Sequence, residues 1–374
     1  RLVYAPPRGV GDYGGEEDNF RWPRHTGDFS VLRAYVSPEG KPAPYAKENV
    51  PYRPKTWLRV APKGISEGDV VMIAGYPGRT QRYLTPSAVA NLEKWFYPLR
   101  SRTLTDLIAI LDAEGRKDEA TALKVASAIK SYGNGETNAR GQIEGLARNG
   151  VLAKAEAEAK ELAEFLAARK ELPASWSAAP AELEKVLARD REGQERRFFL
   201  SEIERLNGYL SSALSAVRRA DERRKPDLER EAGFQERDLD RARQREKDLT
   251  RSLAPAASRK ALAYLVAKTQ AASAGMPVKA FDEAFGKGAS AEVIEAKLAA
   301  MDAATTLGDE KVRLANVDAS SASLAASADP YVRLAVALHP ELAAIRARQK
   351  ETSGALLVWR PLYLSAHEAL RTSK

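Results

Sequence analysis

The chain has 374 residues, 44% of them hydrophobic, which suits two or three domains with real cores. Its 59 basic against 51 acidic residues leave a net charge of +8, a small surplus on a heavily charged surface that allows a polyanionic partner without requiring one. The absence of cysteine removes disulfides, thiolate nucleophiles and zinc-thiolate sites; three histidines, His25, His339 and His367, make a histidine metal centre a poor reading, and no apolar run of about eighteen residues offers a membrane span.

The first residues, Arg1-Leu2-Val3-Tyr4, alternate as a strand does, with no initiator methionine and no signal-type apolar stretch. The chain is therefore expected to begin inside a sheet element, as an internal piece of a longer protein. From residue 1 to about 100 it is rich in Gly and Pro, with β-type runs at 2–5, 29–36 and 70–74. Turn chemistry bounds these runs, as in Ser37-Pro38-Glu39-Gly40 and Gly75-Tyr76-Pro77-Gly78. The pattern predicts a β lobe with long loops over 1–100.

Beyond about residue 103 the pattern changes to Ala, Leu, Glu, Lys and Arg at helical spacing. Helices are predicted near 103–114, 117–149, 151–170, 179–189, 194–224, 226–252, 255–274, 290–301, 330–350 and 361–371, with Pro226 opening one of them. The stretch 320–327 reads as a loose connection, and no repeat of fixed period is present. The fold class expected is α+β, a β lobe followed by an all-α domain over 101–374.

The segment 218–251 holds twelve Lys or Arg against ten Asp or Glu. Interspersed signs in near balance predict a solvated helix face with i,i+4 pairs, not a phosphate track, so no nucleic-acid partner is expected. Gly75-Tyr76-Pro77-Gly78 lacks the Lys-Ser or Lys-Thr and the helix start of a phosphate loop and reads as a turn. His339, before Pro340, reads as a helix end, and His367, in an apolar helical stretch, as a satisfied packing histidine. Ser30 lies in a β-alternating run with no Gly-x-Ser-x-Gly around it, so strand position accounts for it.

The densest chemistry lies in Gly14-Gly15-Glu16-Glu17-Asp18-Asn19-Phe20-Arg21-Trp22-Pro23-Arg24-His25-Thr26-Gly27-Asp28-Phe29-Ser30, which joins acids, an amide, bases and aromatics in a loop leading into a strand. Taken by itself, such a loop could be a hydrogen-bonded corner, with Asp28 capping a turn. The stretch resembles the signature of the dipeptidyl-peptidase 7 and 11 family, in the chymotrypsin-like clan. The likeness extends through Arg1-Leu2-Val3-Tyr4-Ala5-Pro6-Pro7, Val50-Pro51-Tyr52-Arg53-Pro54-Lys55, Gly68-Asp69, the stretch 72–83, and Lys225-Pro226-Asp227-Leu228-Glu229-Arg230-Glu231 with the residues up to Asp238.

This resemblance implies a serine-type dipeptidyl-peptidase, built from a double β-barrel with a helical domain inserted between its portions. It makes Asp28 the middle member of a His-Asp-Ser triad, with the histidine expected before residue 1 and the serine after Lys374; no Gly-Asn-Ser-Gly-like element follows Asp28. His25, only three residues from Asp28, is read as structural. Asn19 and Phe20, the latter where the family has tryptophan, would hold the substrate's free α-amine end. Asn134, in Ser131-Tyr132-Gly133-Asn134, resembles a helical-domain asparagine that completes the amine site, while Gly133-Asn134-Gly135 reads equally as a helix-breaking turn. The implied partners are peptides with a free N-terminus. No cofactor is expected, the full-length protein would be a homodimer, and its location would be periplasmic or at the cell surface. The rival reading is a non-enzymatic helical binding or scaffold protein with a small β appendage.

Overall fold

A computed structural model describes residues 1–15, 23, 25–72, 75, 81–273 and 275–373. The chain divides into two units, Arg1–Arg82 and Tyr83–Lys374.

In the first unit, β1 (Leu2–Tyr4) pairs antiparallel with β2 (Val31–Leu32), and β3 (Tyr35–Val36) with β4 (Val50–Pro51). A four-residue helix, α1 (Arg8–Gly11), lies between β1 and β2. The predicted run 29–36 is thus two short strands that serve different ladders. Residues 70–72 belong to no ladder among the described residues. Two-stranded ladders of this size cover no apolar face, and no described residue before Thr85 is buried. Leu58, Val60, Val70 and Met72 are each at least 90% exposed.

The second unit is helical from its start, well ahead of residue 103. Thr85 Oγ1 accepts the Ala88 N–H to cap α2 (Pro86–Asn91), and Pro86 sits where its missing N–H costs nothing. A π-helical turn, Leu92–Phe96, leads into α3 (Tyr97–Gly115). Asp118 accepts from the Thr121 N–H at 2.8 Å to begin α4 (Glu119–Arg148), which packs along α3 as a hairpin. Then come α5 (Val151–Ala168), α6 (Ala174–Arg191), α7 (Gln194–Arg205), α8 (Tyr209–Glu222), α9 (Leu239–Ser252) and α10 (Pro255–Ala271). The last are α11 (Lys279–Phe285), α12 (Ala291–Ala304), α13 (Glu310–Asp318), α14 (Ser321–Ala325) and α15 (Pro330–Thr372).

Several boundaries differ from the expectation for local reasons. The helix expected over 194–224 is two, because the chain turns extended at Leu206 and Gly208. Pro226 does not open a helix. Asp227 accepts the Glu236 N–H at 2.7 Å and Asp238 accepts the Gly233 N–H at 3.0 Å, so side chains take the backbone donors that a helix would need, and the segment runs as two 3-10 turns before α9. The stretch 320–327 contains α14, capped by Ser320. Helices α11 and α13 are too short to show as periodicity.

The two helices expected at 330–350 and 361–371 are one helix of 43 residues that passes through Pro340 and Pro361. Each proline removes one backbone bond. The ends are held by separate cores: Tyr331, Leu334, Leu338 and Leu342 belong to the main core with α3, α8 and α10, while Tyr363, Ala366 and Leu370 pack with Leu162, Leu166 and Leu183. His339 therefore lies inside a helix, with Nε2 3.3 Å from Asp221.

The segment 218–251 is more than a solvated face. Arg219, Glu222 and Glu246 are buried. Arg219 donates to the Gly233 carbonyl at 2.8 Å, Glu222 accepts the Glu231 N–H at 3.0 Å, and Glu246 accepts the Ser212 hydroxyl at 2.7 Å. Ion pairs along it are spaced i,i+3, as in Lys225–Glu222 and Arg230–Asp227. Near-balance of charge reflects internal pairing as well as solvation.

Arg313 is the largest such case, a fully buried guanidinium. Its Nη1 donates to the Leu307 carbonyl at 2.6 Å, its Nη2 to the Glu246 carbonyl at 3.0 Å, and the group lies 3.5 Å from the Glu246 carboxylate. Arg313→Ala should cost roughly 3–5 kcal/mol, because it leaves the Glu246 carboxylate and the carbonyls of Leu307, Gly308 and Glu246 without their cation. Urea unfolding of the chain checks this, and Glu246→Gln should cost less than removal of the cation.

Glu231 gives an acid dependence of known sign. Burial disfavours its charge, but hydrogen bonds from Lys350 and Arg218 outweigh that and bring its pKa down from the ordinary 4.5 to about 2. A carboxylate depressed in the folded state stabilises above its unfolded pKa and loses that contribution as pH falls toward the folded value. Thermal unfolding between pH 4.5 and 2 should therefore show Glu231→Gln losing less stability across this window than the unaltered chain.

Candidate active site

Asp28 sits between two anchored neighbours. The Gly27 N–H donates to the Val10 carbonyl at 2.9 Å, and the Thr26 hydroxyl donates to the Tyr13 carbonyl at 2.9 Å. On the other side, the Phe29 ring lies 5.8 Å from that of Tyr4 in β1, and β2 begins two residues later. A Cβ on Gly27 would lie 2.7 Å from Val10 Cγ1, so glycine is the residue that permits this close approach. The result is an exposed carboxylate on a backbone pinned to α1 and β1. Such a group can accept a proton from a side chain brought to it, and it can orient that side chain.

His25 is exposed, and among the described residues no hydrogen bond or ion pair joins it to Asp28. Ser30 is exposed and directly precedes β2. Asn19 and Phe20 lie outside the described residues, as does most of Gly75-Tyr76-Pro77-Gly78.

Asn134 lies in the helical unit on an exposed position of α4, and the helix is unbroken across Gly133-Asn134-Gly135. The helix-breaking alternative fails for a packing reason. At Gly135 α4 approaches α3 closely: a Cβ there would be 2.9 Å from Leu104 Cδ1 and 3.2 Å from Arg100 Nη2. Beside it, a cavity of about 250 Å³ is lined by Arg100, Ser131, Tyr132, Gly135, Glu202 and Arg205 among others. Burial raises the Glu202 pKa, against the pull of Arg205 and Arg100, and burial pushes Tyr132 up to about 12. Nothing in the sequence could have placed Glu202 beside Arg100 and Ser131, because α7 lies far along the chain from the hairpin of α3 and α4 that it meets there.

His367 is buried with its ring 4.5 Å from Tyr363 and 5.5 Å from Tyr83, as a packing histidine should be. Burial lowers its pKa, and its Nε2 has no hydrogen-bond partner among the described residues, so it is packed without being satisfied. No cluster of His, Asp or Glu suited to a metal ion occurs among the described residues, and no helix among them is long and apolar enough to cross a membrane.

The described chain is mostly helical with few strands, and its fold matches that of a solved structure, the DPP11 of Porphyromonas endodontalis in complex with the dipeptide Arg-Asp. That match has a TM-score of 0.69 at 24% identity and covers 98% of this chain and 51% of the other. The chain belongs to the Peptidase S46 family, whose profile matches residues 1–374. It is 36% identical over 374 residues to the Asp/Glu-specific dipeptidyl-peptidase of Shewanella putrefaciens, covering 98% of this chain and 49% of that protein. It is 43% identical over 146 residues to the dipeptidyl-peptidase 7 of Capnocytophaga gingivalis, covering 39% of this chain and 20% of that protein. This chain thus spans about half the length of the first of these relatives.

Gly27→Ala should loosen the Asp28 loop. The added methyl forces Val10 aside at a cost of about 1–3 kcal/mol, and amide hydrogen exchange at residue 27 should speed up by about tenfold or more. Adding Val10→Ala removes the clashing atom and should restore most of the protection.

Proposed function

We propose that this chain carries the triad aspartate and the helical domain of a serine dipeptidyl-peptidase that releases dipeptides from free peptide N-termini by acyl-enzyme hydrolysis. Asp28 accepts the Nδ1 proton of the catalytic histidine, fixes its tautomer and stabilises the imidazolium formed when serine attacks. Asn19 and Asn134 hold the substrate's α-ammonium group, and Phe20 supplies an apolar wall at the same end. The histidine, the serine and the oxyanion donors come from other parts of the protein, so this chain by itself releases no dipeptide. Residues 1–82, the unit that precedes the helices, complete the first lobe of a chymotrypsin-like double barrel, and the helical domain limits the cleft to free N-termini. The full-length protein is a homodimer, periplasmic or at the cell surface.

The observation that carries this reading is the uncovered apolar surface of the first unit. Leu2, Tyr4, Val31 and Leu32 are 47–70% exposed on its strands, and Trp57 is 71% exposed beyond them. Surface of that kind marks a face that packs against more protein. A lobe completed by further chain covers it, and the same covering layer would bring the histidine to Asp28. A helical scaffold with a small β appendage is not favoured, since both the family and the named relatives are peptidases.

The test is Asp28→Asn in the whole peptidase, assayed with a dipeptidyl reporter. The kcat should fall by about four orders of magnitude with KM little changed, as loss of the correct histidine tautomer requires. An Asp28→Asn enzyme of undiminished kcat would remove Asp28 from the triad. A purified 374-residue chain whose dipeptidase rate vanishes in Asp28→Asn would show that the chain needs no further part.

A further inference from the structure

The helical unit has a larger opening than the one beside Gly135. A cavity of about 780 Å³ lies between α7, α8, the 3-10 turns, α9 and the middle of α15. That is the size of a small-molecule or peptide site and far more than one carboxylate or phosphate needs. Its walls carry five cationic side chains, Arg205, Arg218, Arg245, Arg346 and Lys350, against two carboxylates, Glu204 and Glu231.

The two carboxylates are already engaged. Glu204 pairs with Arg346 at 3.1 Å, and Glu231 is shared by Arg218 and by Lys350, the latter at 2.7 Å. Arg205 leans on Glu202 at 3.1 Å, outside the cavity lining. Arg245 has no salt-bridge partner among the described residues, and the buried Nε of Arg218 donates to nothing among them. The surplus positive charge therefore sits on walls contributed by different helices, suited to a ligand with two or more separated acidic groups. Guanidinium forks match carboxylate and phosphate alike.

The remaining lining chooses between these. Ser215, Ser353 and Gln349 offer neutral hydrogen-bonding groups of the kind that amides use, and Leu214 and Leu357 offer apolar contact. Phe234 is the aromatic residue of the lining, and the guanidinium groups of Arg218 and Arg219 lie 4.5 and 5.2 Å from its ring centre. Two cations already lie against this ring, which argues against a stacked nucleotide base.

We propose that this cavity binds acidic peptide segments, with Arg245, which has no ion-pair partner among the described residues, and Arg205, whose partner lies outside the lining, taking separate carboxylates. The anionic character rests on the cavity alone, and the choice of a peptide rests also on the peptidase reading above. Binding here would hold an acidic stretch of a peptide against the helical domain.

Isothermal titration of the chain with N-acetylated, C-amidated tetraglutamate tests this without any turnover, so it stands or falls apart from the catalytic reading. The expected result is saturable one-to-one binding that weakens with salt and is absent for the tetraglutamine analogue. Arg245→Ser should weaken it about fivefold or more, while Arg241→Ser, on the same helix but outside the cavity, should leave it unchanged. Absence of saturable binding would overturn the proposal, as would equal loss in the two variants. Tighter binding of inorganic pyrophosphate than of the peptide, lost in Arg245→Ser, would also overturn it and make the cavity a phosphate site.

Discussion

The helical unit depends on one continuous helix serving two cores. Residues 331–342 of α15 lie in the main core, and residues 363–370 lie in the smaller core of α5 and α6. Because an α-helix advances about 1.5 Å per residue, its 43 residues act as a strut that fixes the spacing of the two cores. The stretch between them buries little and is tied by charge instead: Arg346 to Glu204, Arg348 to Glu192 and Lys350 to Glu231. The cavity with its surplus of arginine lies along this stretch, where the helix bridges the cores without being packed into either. The same strut positions Tyr83, a non-glycine residue with φ +52, whose ring and hydroxyl are held by His367 and Arg371 at the far end of α15.

A second constraint is the uneven distribution of burial. The helical unit closes its apolar surface within itself, down to fully buried Leu107, Leu265, Phe281 and Leu338. No described residue of the unit before it is buried, yet its backbone around Asp28 is held in place by Gly27, Thr26 and the Tyr4–Phe29 contact. A local frame that fixes a carboxylate while leaving its surroundings open suits a residue whose partners arrive from other polypeptide. In the role proposed above, further polypeptide would cover Asp28, since a triad aspartate works best when water is excluded.

Charge in this protein is structural more often than composition suggests. The buried Arg313, Arg219 and Glu246 are held by carbonyls and hydroxyls, and Arg313 also lies 3.5 Å from the Glu246 carboxylate. Such groups are costly to break and add little when intact, and here they join α8, α9 and α13. The polar turns between Pro226 and Asp238 belong to the same system, since Glu222, Asp227 and Asp238 each take a backbone N–H from that stretch.

Much was legible in the sequence. Helical spacing located most of the helices in 103–372, turn chemistry located Ser37–Gly40, and the dense motif through Asp28 carried the likeness to a peptidase family, which the match over residues 1–374 bears out. These are local signals, set by periodicity and by residue types that chemistry requires in order. Other features were decided by tertiary structure alone. Prolines at 340 and 361 read as breaks, but cores at both ends of α15 outweigh one lost hydrogen bond each. Gly133 and Gly135 read as a turn, but close packing of α4 on α3 makes small residues fit a continuous helix. The charges of 218–251 read as a solvated face, and only the folding of the Pro226–Asp238 stretch against α8 and of α13 against α9 turned several of them inward. Pattern along a chain records what each segment prefers by itself; which preference yields is settled by what the segment packs against.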